Sequence, residues 1–365
     1  MPEALVNNAH QGLASGIRAM FQTQTDPVTG RPVGRLNIHA ARLFLDDDGS
    51  SKHIVVNAKG EAVGTRLVTN ATALLRYEEW MDIDRTVIEA GVQRMTAWND
   101  LRERNLVHNL GSIGQTISLW ETQADMTEAN IAMSATTRGE KDTPAYGTSQ
   151  VPVPIVFKEF SVELRRLEGS RIYGSGVDVT GASIAGRLVA ERTERMLFLG
   201  AAVNVQGSTI YGYLTHPNRN TVDLAEQWDN PATTGADILD DVQQMLSAAR
   251  ADRYYGPFML YIPGTYEGRL DEDYRDNDDR TIRQRIMALS GIQDIKVGDF
   301  LPDDNVVMVQ LTRDVVDAAI AQDIATVQWS LQGGMEEEFK VMAVWVPRVK
   351  ADFDGRSGIV HLRPA

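Results

Sequence analysis

The apolar positions of this chain change period along its length, and one long central stretch has no usable period at all. Over residues 73–110, Leu74, Tyr77, Met81, Ile83, Val87, Ile88, Val92, Met95 and Trp98 recur near a spacing of 3.6, which predicts helix. Gly91 either kinks that helix or lets a neighbour approach closely, and Gly111 and Gly114 close it. A second helix is predicted over 180–202, with Thr180 as its cap and Ile184, Leu188, Met196 and Leu199 on one face. Arg187 with Glu191, and Glu191 with Arg195, stand four apart and support it. At 1.5 Å per residue it is roughly 33 Å long, the spine of a lobe. Shorter helices are predicted over 236–252 and 281–289. Strand-like runs cover 155–164, 258–262, 292–297, 306–311, 339–349 and 358–362, with Pro263-Gly264 and Pro302-Asp303-Asp304-Asn305 as breaks. Toward the N-terminus, residues 2–21 form a weak amphipathic helix with Leu5, Leu13, Ile17 and Met20 as its stripe. Asp26, Pro27 and Gly30 then break it, and 38–45 returns as 53–57 around an Asp48-Gly49 turn. The irregular alternation of helices and strands points to α+β layers rather than a wound parallel sheet.

The stretch without a period runs over residues 119–154. It lies between strand-like ends and carries no face that builds a core of its own. A structureless loop this long in a compact domain signals function or disorder. Val151-Pro152-Val153-Pro154 restricts its return to a sheet edge or a bend. It reads as a two-stranded arm that leaves its own subunit. Two strands of about 16 residues reach roughly 50 Å, farther than the radius of a lobe this size. Trp120, Met126, Ile131, Met133, Lys141 and Tyr146 are then candidate inter-subunit contacts.

Composition narrows the classes. The 365 residues exceed one ordinary core and suggest two lobes plus appendages. With 43% hydrophobic and 24% charged residues the chain is globular. It contains no cysteine, which excludes a disulfide framework, a thiolate zinc site and a cysteine nucleophile. The formal charge of −14 argues against wrapping nucleic acid over the whole surface, but suits a wall that grips its contents weakly. No apolar run has the length of a membrane span, and Met1-Pro2-Glu3-Ala4-Leu5 opens no secretory signal.

Candidate chemistry is thin. Asp271, Glu272, Asp273, Asp276, Asp278 and Asp279 form the densest acidic cluster, but Arg275 interrupts the calcium-loop spacing, and a solvated loop is expected. Asp46-Asp47-Asp48-Gly49 reads as a hairpin tip. The histidines at 10, 39, 53, 108, 216 and 361 offer no zinc-helix pair. Gly174, Gly176 and Gly181 lack dinucleotide spacing, and no serine occupies a nucleophile elbow. Lys141 is a surface charge beside Glu140 and Asp142, or, desolvated against a neighbour's asparagine, the donor of an isopeptide bond. No catalytic residue, cofactor or metal site is expected, and the chain is read as a non-enzyme.

Several segments, in order along the chain, resemble tailed-phage major capsid proteins. They begin with Leu75-Arg76-Tyr77-Glu78-Glu79-Trp80, Ile83-Asp84 and Asn99-Asp100-Leu101. Asp125-Met126-Thr127, Met133-Ser134 and Gly139-Glu140-Lys141-Asp142 resemble the extended loop of that family, and Val151-Pro152-Val153-Pro154-Ile155 with Lys158-Glu159-Phe160 the strand after it. Glu191 with Met196-Leu197-Phe198 resembles its spine helix, and Thr215-His216-Pro217 and Gly256-Pro257-Phe258 follow in order. The resemblance implies the Hong Kong 97 capsid fold. It divides the chain into an N-terminal arm (1–72), a peripheral domain (73–118 and 155–235, with the spine helix), the extended loop (119–154), an axial domain (236–332) and return strands to the peripheral domain (333–365). It implies pentamers and hexamers closing into an icosahedral shell around double-stranded DNA without sequence-specific binding. It also implies scaffolding, portal and decoration proteins as partners, no membrane, and a virion assembled in the host cytoplasm. Encapsulin shells that package cargo enzymes share the fold and are the alternative; they generally lack a long N-terminal arm.

Overall fold

The computed structural model describes five short segments of the N-terminal region (21–25, 32–36, 43–45, 51–56 and 62–67). From 77 to 364 it describes all but 125, 127–128, 130, 132, 135–142, 174–178, 276–278 and 332–334. Among the N-terminal segments, β1 (Phe21–Thr25) pairs with β2 (Pro32–Leu36). Strands β3 (Leu43–Leu45), β4 (Ser51–Val56) and β5 (Ala62–Leu67) form an antiparallel sheet; β3 and β4 flank the expected Asp48-Gly49 turn, which lies outside the described residues. Of the helix expected over 2–21, only Phe21 is described, and it opens β1 instead.

The region predicted as one helix over 73–110 is two, α1 (Tyr77–Val92) and α2 (Thr96–Glu103), followed by strand β6 (Val107–Asn109). α1 buries Trp80, Ile83 and Val87 but leaves Met81, Ile88 and Val92 exposed. After the strands β7 (Ile117–Gln123), β8 (Tyr146–Pro152) and β9 (Val156–Glu163) come a helix not foreseen, α3 (Leu164–Tyr173), and the spine helix α4 (Thr180–Leu199). Val179 rather than Thr180 occupies the cap position of α4, and no side chain caps it. Of its expected face Met196 is buried, Leu188 and Leu199 are half-buried and Ile184 is exposed, so the buried stripe is shifted. Ala182, Ala185, Gly186, Val189 and Ala190 are buried. The small residues let α1 come close: a Cβ on Gly186 would stand 2.8 Å from the carbonyl oxygen of Val87. The Arg187–Glu191 pair is present at 2.8 Å.

The chain continues through a hairpin of β10 (Ala201–Val205) and β11 (Ser208–Ile210), then β12 (Asn220–Leu224). α5 (Gly235–Ala251) starts at a capping box in which Thr234 and Asp237 satisfy each other's backbone N–H groups. β13 (Phe258–Ile262), the short α6 (Glu267–Leu270), α7 (Ile282–Met287), β14 (Ile292–Val297) and β15 (Val306–Gln310) follow. Two long strands, β16 (Val316–Leu331) and β17 (Glu336–Val349), and β18 (Ile359–Pro364) complete the order.

Two main sheets result. One runs β6-β16-β17-β9 and packs on α4; Phe339 stacks on Phe160 at 4.9 Å and meets the edge of Trp80 at 5.7 Å. The other runs β12-β18-β15-β13-β14, with α5 burying Ile238, Val242, Met245 and Ala249 in the adjoining core. The pairing departs from the expected division at three strands, the first being β12, which lies within the expected peripheral segment yet sits in the second sheet. β16, placed by sequence with the axial segment, belongs to the first sheet, and β18, expected to return to the peripheral segment, pairs with β12 and β15 in the second. Val360 and Leu362 are fully buried there, which draws β18 into that core. A third, small cluster of Leu110, Val151, Met196, Ile210, Ala319 and Val346 sits where β7 and β8 leave the body.

Candidate functional site

Among the described residues, β7 and β8 pair only with each other, in seven antiparallel pairs from Ile117↔Pro152 to Gln123↔Tyr146. Two more backbone bonds, Val153 N–H to Thr116 O at 2.8 Å and Ala124 N–H to Ala145 O at 2.9 Å, extend the pairing at its two ends. The described ladder is therefore about 23 Å long, shorter than the reach expected of the whole loop. Its side chains change character from root to end. Ser118 and Val151 are buried, and Trp120 is half-buried against the third cluster. Leu119 and Tyr146 are exposed, as is Met126, and Ile131 and Met133 have 101% and 106% exposure, as free as in an extended chain. Lys141 lies outside the described residues. Five large apolar groups of the ribbon thus have little of their own chain to cover them.

The root is held by a buried ion pair. Arg348 on β17 donates through Nε to one Asp317 oxygen at 2.5 Å and through a terminal nitrogen to the other at 2.5 Å. The third donor reaches Ser118 Oγ on β7 at 3.3 Å, and the guanidinium lies 5.8 Å from the Trp120 ring centre. Lys350 Nζ adds a contact of 2.8 Å to Asp317. Removing one partner of such a pair costs about 3–5 kcal/mol because the other charge is left uncompensated. Farther along, the Phe353 N–H donates to Gln123 O at 3.2 Å, and the Phe353 ring sits against Gly147, where a Cβ would meet it at 3.3 Å. Between ribbon and body opens a groove of about 470 Å³, lined among others by Trp120, Ser208, Tyr211, His216 and Phe353.

The remaining candidates fall into ordinary structure. Asp271 pairs with Arg283 at 2.7 Å, and Glu272 with Arg269. Asp276 and Asp278 are outside the described residues; among those described, no three potential ligands gather to hold a metal. His216 and His361 are buried, and desolvation first, then Arg219, pushes both down to about 4. Arg219 Nε donates to His361 Nδ1 at 3.2 Å, and the opposite nitrogen stands 2.7 Å from Asn305 Oδ1, so the ring is neutral with its proton on Nε2. His108 is also lowered by burial. Residues 10 and 39 are outside the described set, and for residue 53 only the strand is described.

Beyond the Arg348–Asp317 pair, two further buried ionisable groups lie outside the sequence reading. Glu194, on the inner face of α4, accepts the N–H groups of Ala97 and Trp98 at 2.7 and 3.2 Å and so caps α2 from another helix. Burial pushes its carboxyl up to about 7, against the pull of those bonds and with a further push from Asp100. Asp100 in turn accepts from Tyr261 at 2.8 Å and pairs with Lys296, tying α2 to β13 and β14. The signal for Arg348 was present in the sequence: a cation inside the apolar run of 341–349 requires a partner.

This architecture recurs in known shells. A virus-like particle from Pyrococcus furiosus superposes with a TM-score of 0.57 at 18% identity, over 78% of this chain and 98% of that one. The capsid of Myoviridae phage XM1 gives 0.56 at 12% identity, over 71% and 89%. The capsid of an empty GTA particle gives 0.52 at 16% identity, over 73% and 90%. In sequence, the type 1 encapsulin shell protein EncA of Myxococcus xanthus (strain DK1622) is 24% identical over 285 residues, 76% of this chain and 90% of that protein. The fold is the α+β Hong Kong 97 fold of phage capsid and encapsulin shell proteins. Residues 70–362 match a family described as "Family of unknown function (DUF6260)", and the chain belongs to that family.

Proposed function

We propose that this chain is the major capsid protein of a tailed bacteriophage, assembling as pentamers and hexamers into an icosahedral shell around double-stranded DNA. The observation that carries the reading is the ribbon. It is rooted through a buried ion pair yet presents Leu119, Met126, Ile131, Met133 and Tyr146 to solvent. Those groups find cover on a second copy, and the polar edges of β7 and β8 suit strand addition to a neighbour. Residues 73–118 and 155–235 act as the peripheral part, 236–332 as the axial part and 1–72 as an arm. In this division β16 works with the former, and β12 and β18 with the latter, in keeping with the sheet pairing. The role is structural, without catalysis; scaffolding, portal and decoration proteins are partners by analogy. Assembly then takes place in the host cytoplasm and ends in a virion. Among the described residues, no helix is long and apolar enough to cross a membrane.

The second reading, an encapsulin-type shell around cargo enzymes, is favoured by the likeness to EncA. Residues 1–72, read as an arm, favour the virion. Particles purified from the native source decide between the two. Nuclease-resistant double-stranded DNA is expected inside, whereas nucleic-acid-free particles holding a second protein would establish the encapsulin reading. Deleting residues 124–145 tests the ribbon itself. A folded chain that forms no stable shells is expected, and intact shells would refute the role given to it.

A further inference from the structure

An arm that joins a closed shell must leave its own body at a fixed angle. Over a lever of about 23 Å, a tilt of about 10° moves the far end by about 4 Å, enough to miss a neighbour's side-chain sockets. Beyond the packing of Val151 and Trp120 into the third cluster, the ribbon is tied to the body at two separated points. At the first, Arg348 already satisfies Asp317 with two donors inside the body, and its third crosses to Ser118, only 1% exposed, on β7. At the second, the Phe353 backbone bonds Gln123 while its ring rests on Gly147. Ser118 and Gln123 are five residues apart, about 17 Å along the strand. One point of attachment would act as a pivot, whereas two at that spacing fix a direction. The Asp317 pair is complete without the bond to Ser118, so that bond adds orientation rather than charge compensation.

We infer that Arg348 and Phe353 form a two-point mount that sets the angle of the ribbon and, through it, the size to which the shell closes. Both are positioning residues, and the inference rests on the proposed role of the ribbon in assembly. The full-length chain contains no native cysteine, so Glu121→Cys and Arg192→Cys, both at exposed positions, carry spin labels uniquely. Labelled chain is diluted with unlabelled chain so that only distances within one copy are read. Ser118→Ala with Phe353→Ala removes the side-chain part of both points, leaving the Phe353 N–H bond to Gln123, and strands no buried charge. This pair is expected to keep a cooperative melt, to widen the label-to-label distance distribution about twofold or more, and to give shells of mixed diameter or open sheets. Arg348→Lys, which keeps the charge and loses the fork, is expected to widen it as well. A lowered melting temperature with an unchanged width would mean that these contacts only stabilise, and overturns the inference. So does a double variant with wild-type width and uniform shells. Should the wild type form no particles, the shell reading fails, while the label distances still decide the mount.

Discussion

Glu194 shows how one side chain can set a pH dependence for the whole chain. Its carboxyl is raised from 4.5 to about 7, chiefly by burial. The folded protein therefore holds this proton more tightly than the unfolded one, and the associated stability is full below pH 4.5 and lost as pH rises through 7. The shift corresponds to about 3 kcal/mol. Glu194→Gln is expected to flatten the decline in thermal stability between pH 5 and 8; an unchanged slope would show that the carboxyl is not the group responsible. His361 acts in the opposite direction. Its ring is lowered from 6.5 to about 4, so its contribution is full above 6.5 and lost as pH falls toward 4. Protonation would place a hydrogen on Nδ1 against the Arg219 N–H it now accepts. His361→Gln is expected to lose less stability than wild type between pH 7 and 5 in denaturant titrations. Equal losses would assign the acid sensitivity elsewhere. Neither group was legible as titrating: Glu194 sits among charged neighbours on its helix, and nothing local marks it as the one turned inward.

Elements were legible where large apolar side chains keep a period and obscure where small ones do the packing. β13 and β14 match their expected limits because the strand runs are apolar and bounded by breaks. The contact face of α4 was misjudged because alanine and glycine carry little weight in a periodic reading, although they are what permits the close approach of α1. Gly186→Ala, whose Cβ would stand 2.8 Å from the Val87 carbonyl oxygen, is expected to destabilise the fold by about 1–3 kcal/mol in chemical unfolding. A neutral result would mean that the two helices separate freely. β16 escaped notice for a different reason. Register shifts between Ile320 and Gln322 and again before Ala325 break the alternation of period two, so its apolar residues never line up as one face in the sequence. β18 was found as a strand but assigned to the wrong sheet, since pairing partners are a tertiary property that local pattern does not carry.

At the scale of the molecule, the ribbon was legible as an element that cannot cover its own apolar groups, whereas its mount was not. The arm is visible from the lack of a core-forming face over residues 119–154. The mount joins Ser118, Asp317 and Arg348, which are 230 positions apart from first to last and meet only through the fold. Exposed groups at the far end contribute little to the stability of a single copy. Replacing Met126, Ile131 and Met133 together by serine is therefore expected to change folding stability by no more than about 0.5 kcal/mol while abolishing particle formation. Particles that persist would move the contact to another surface, such as the exposed stripe of Met81, Ile88 and Val92 on α1. The acidic charge of −14 fits the proposed wall, which would enclose DNA without gripping it. The measurement that bears most directly on these conclusions is cryo-electron microscopy of the purified full-length protein. The expected result is closed shells in which Ile131 and Met133 are covered by a neighbouring copy. A monodisperse monomer across the accessible concentration range, or shells in which that end stays exposed, would contradict it.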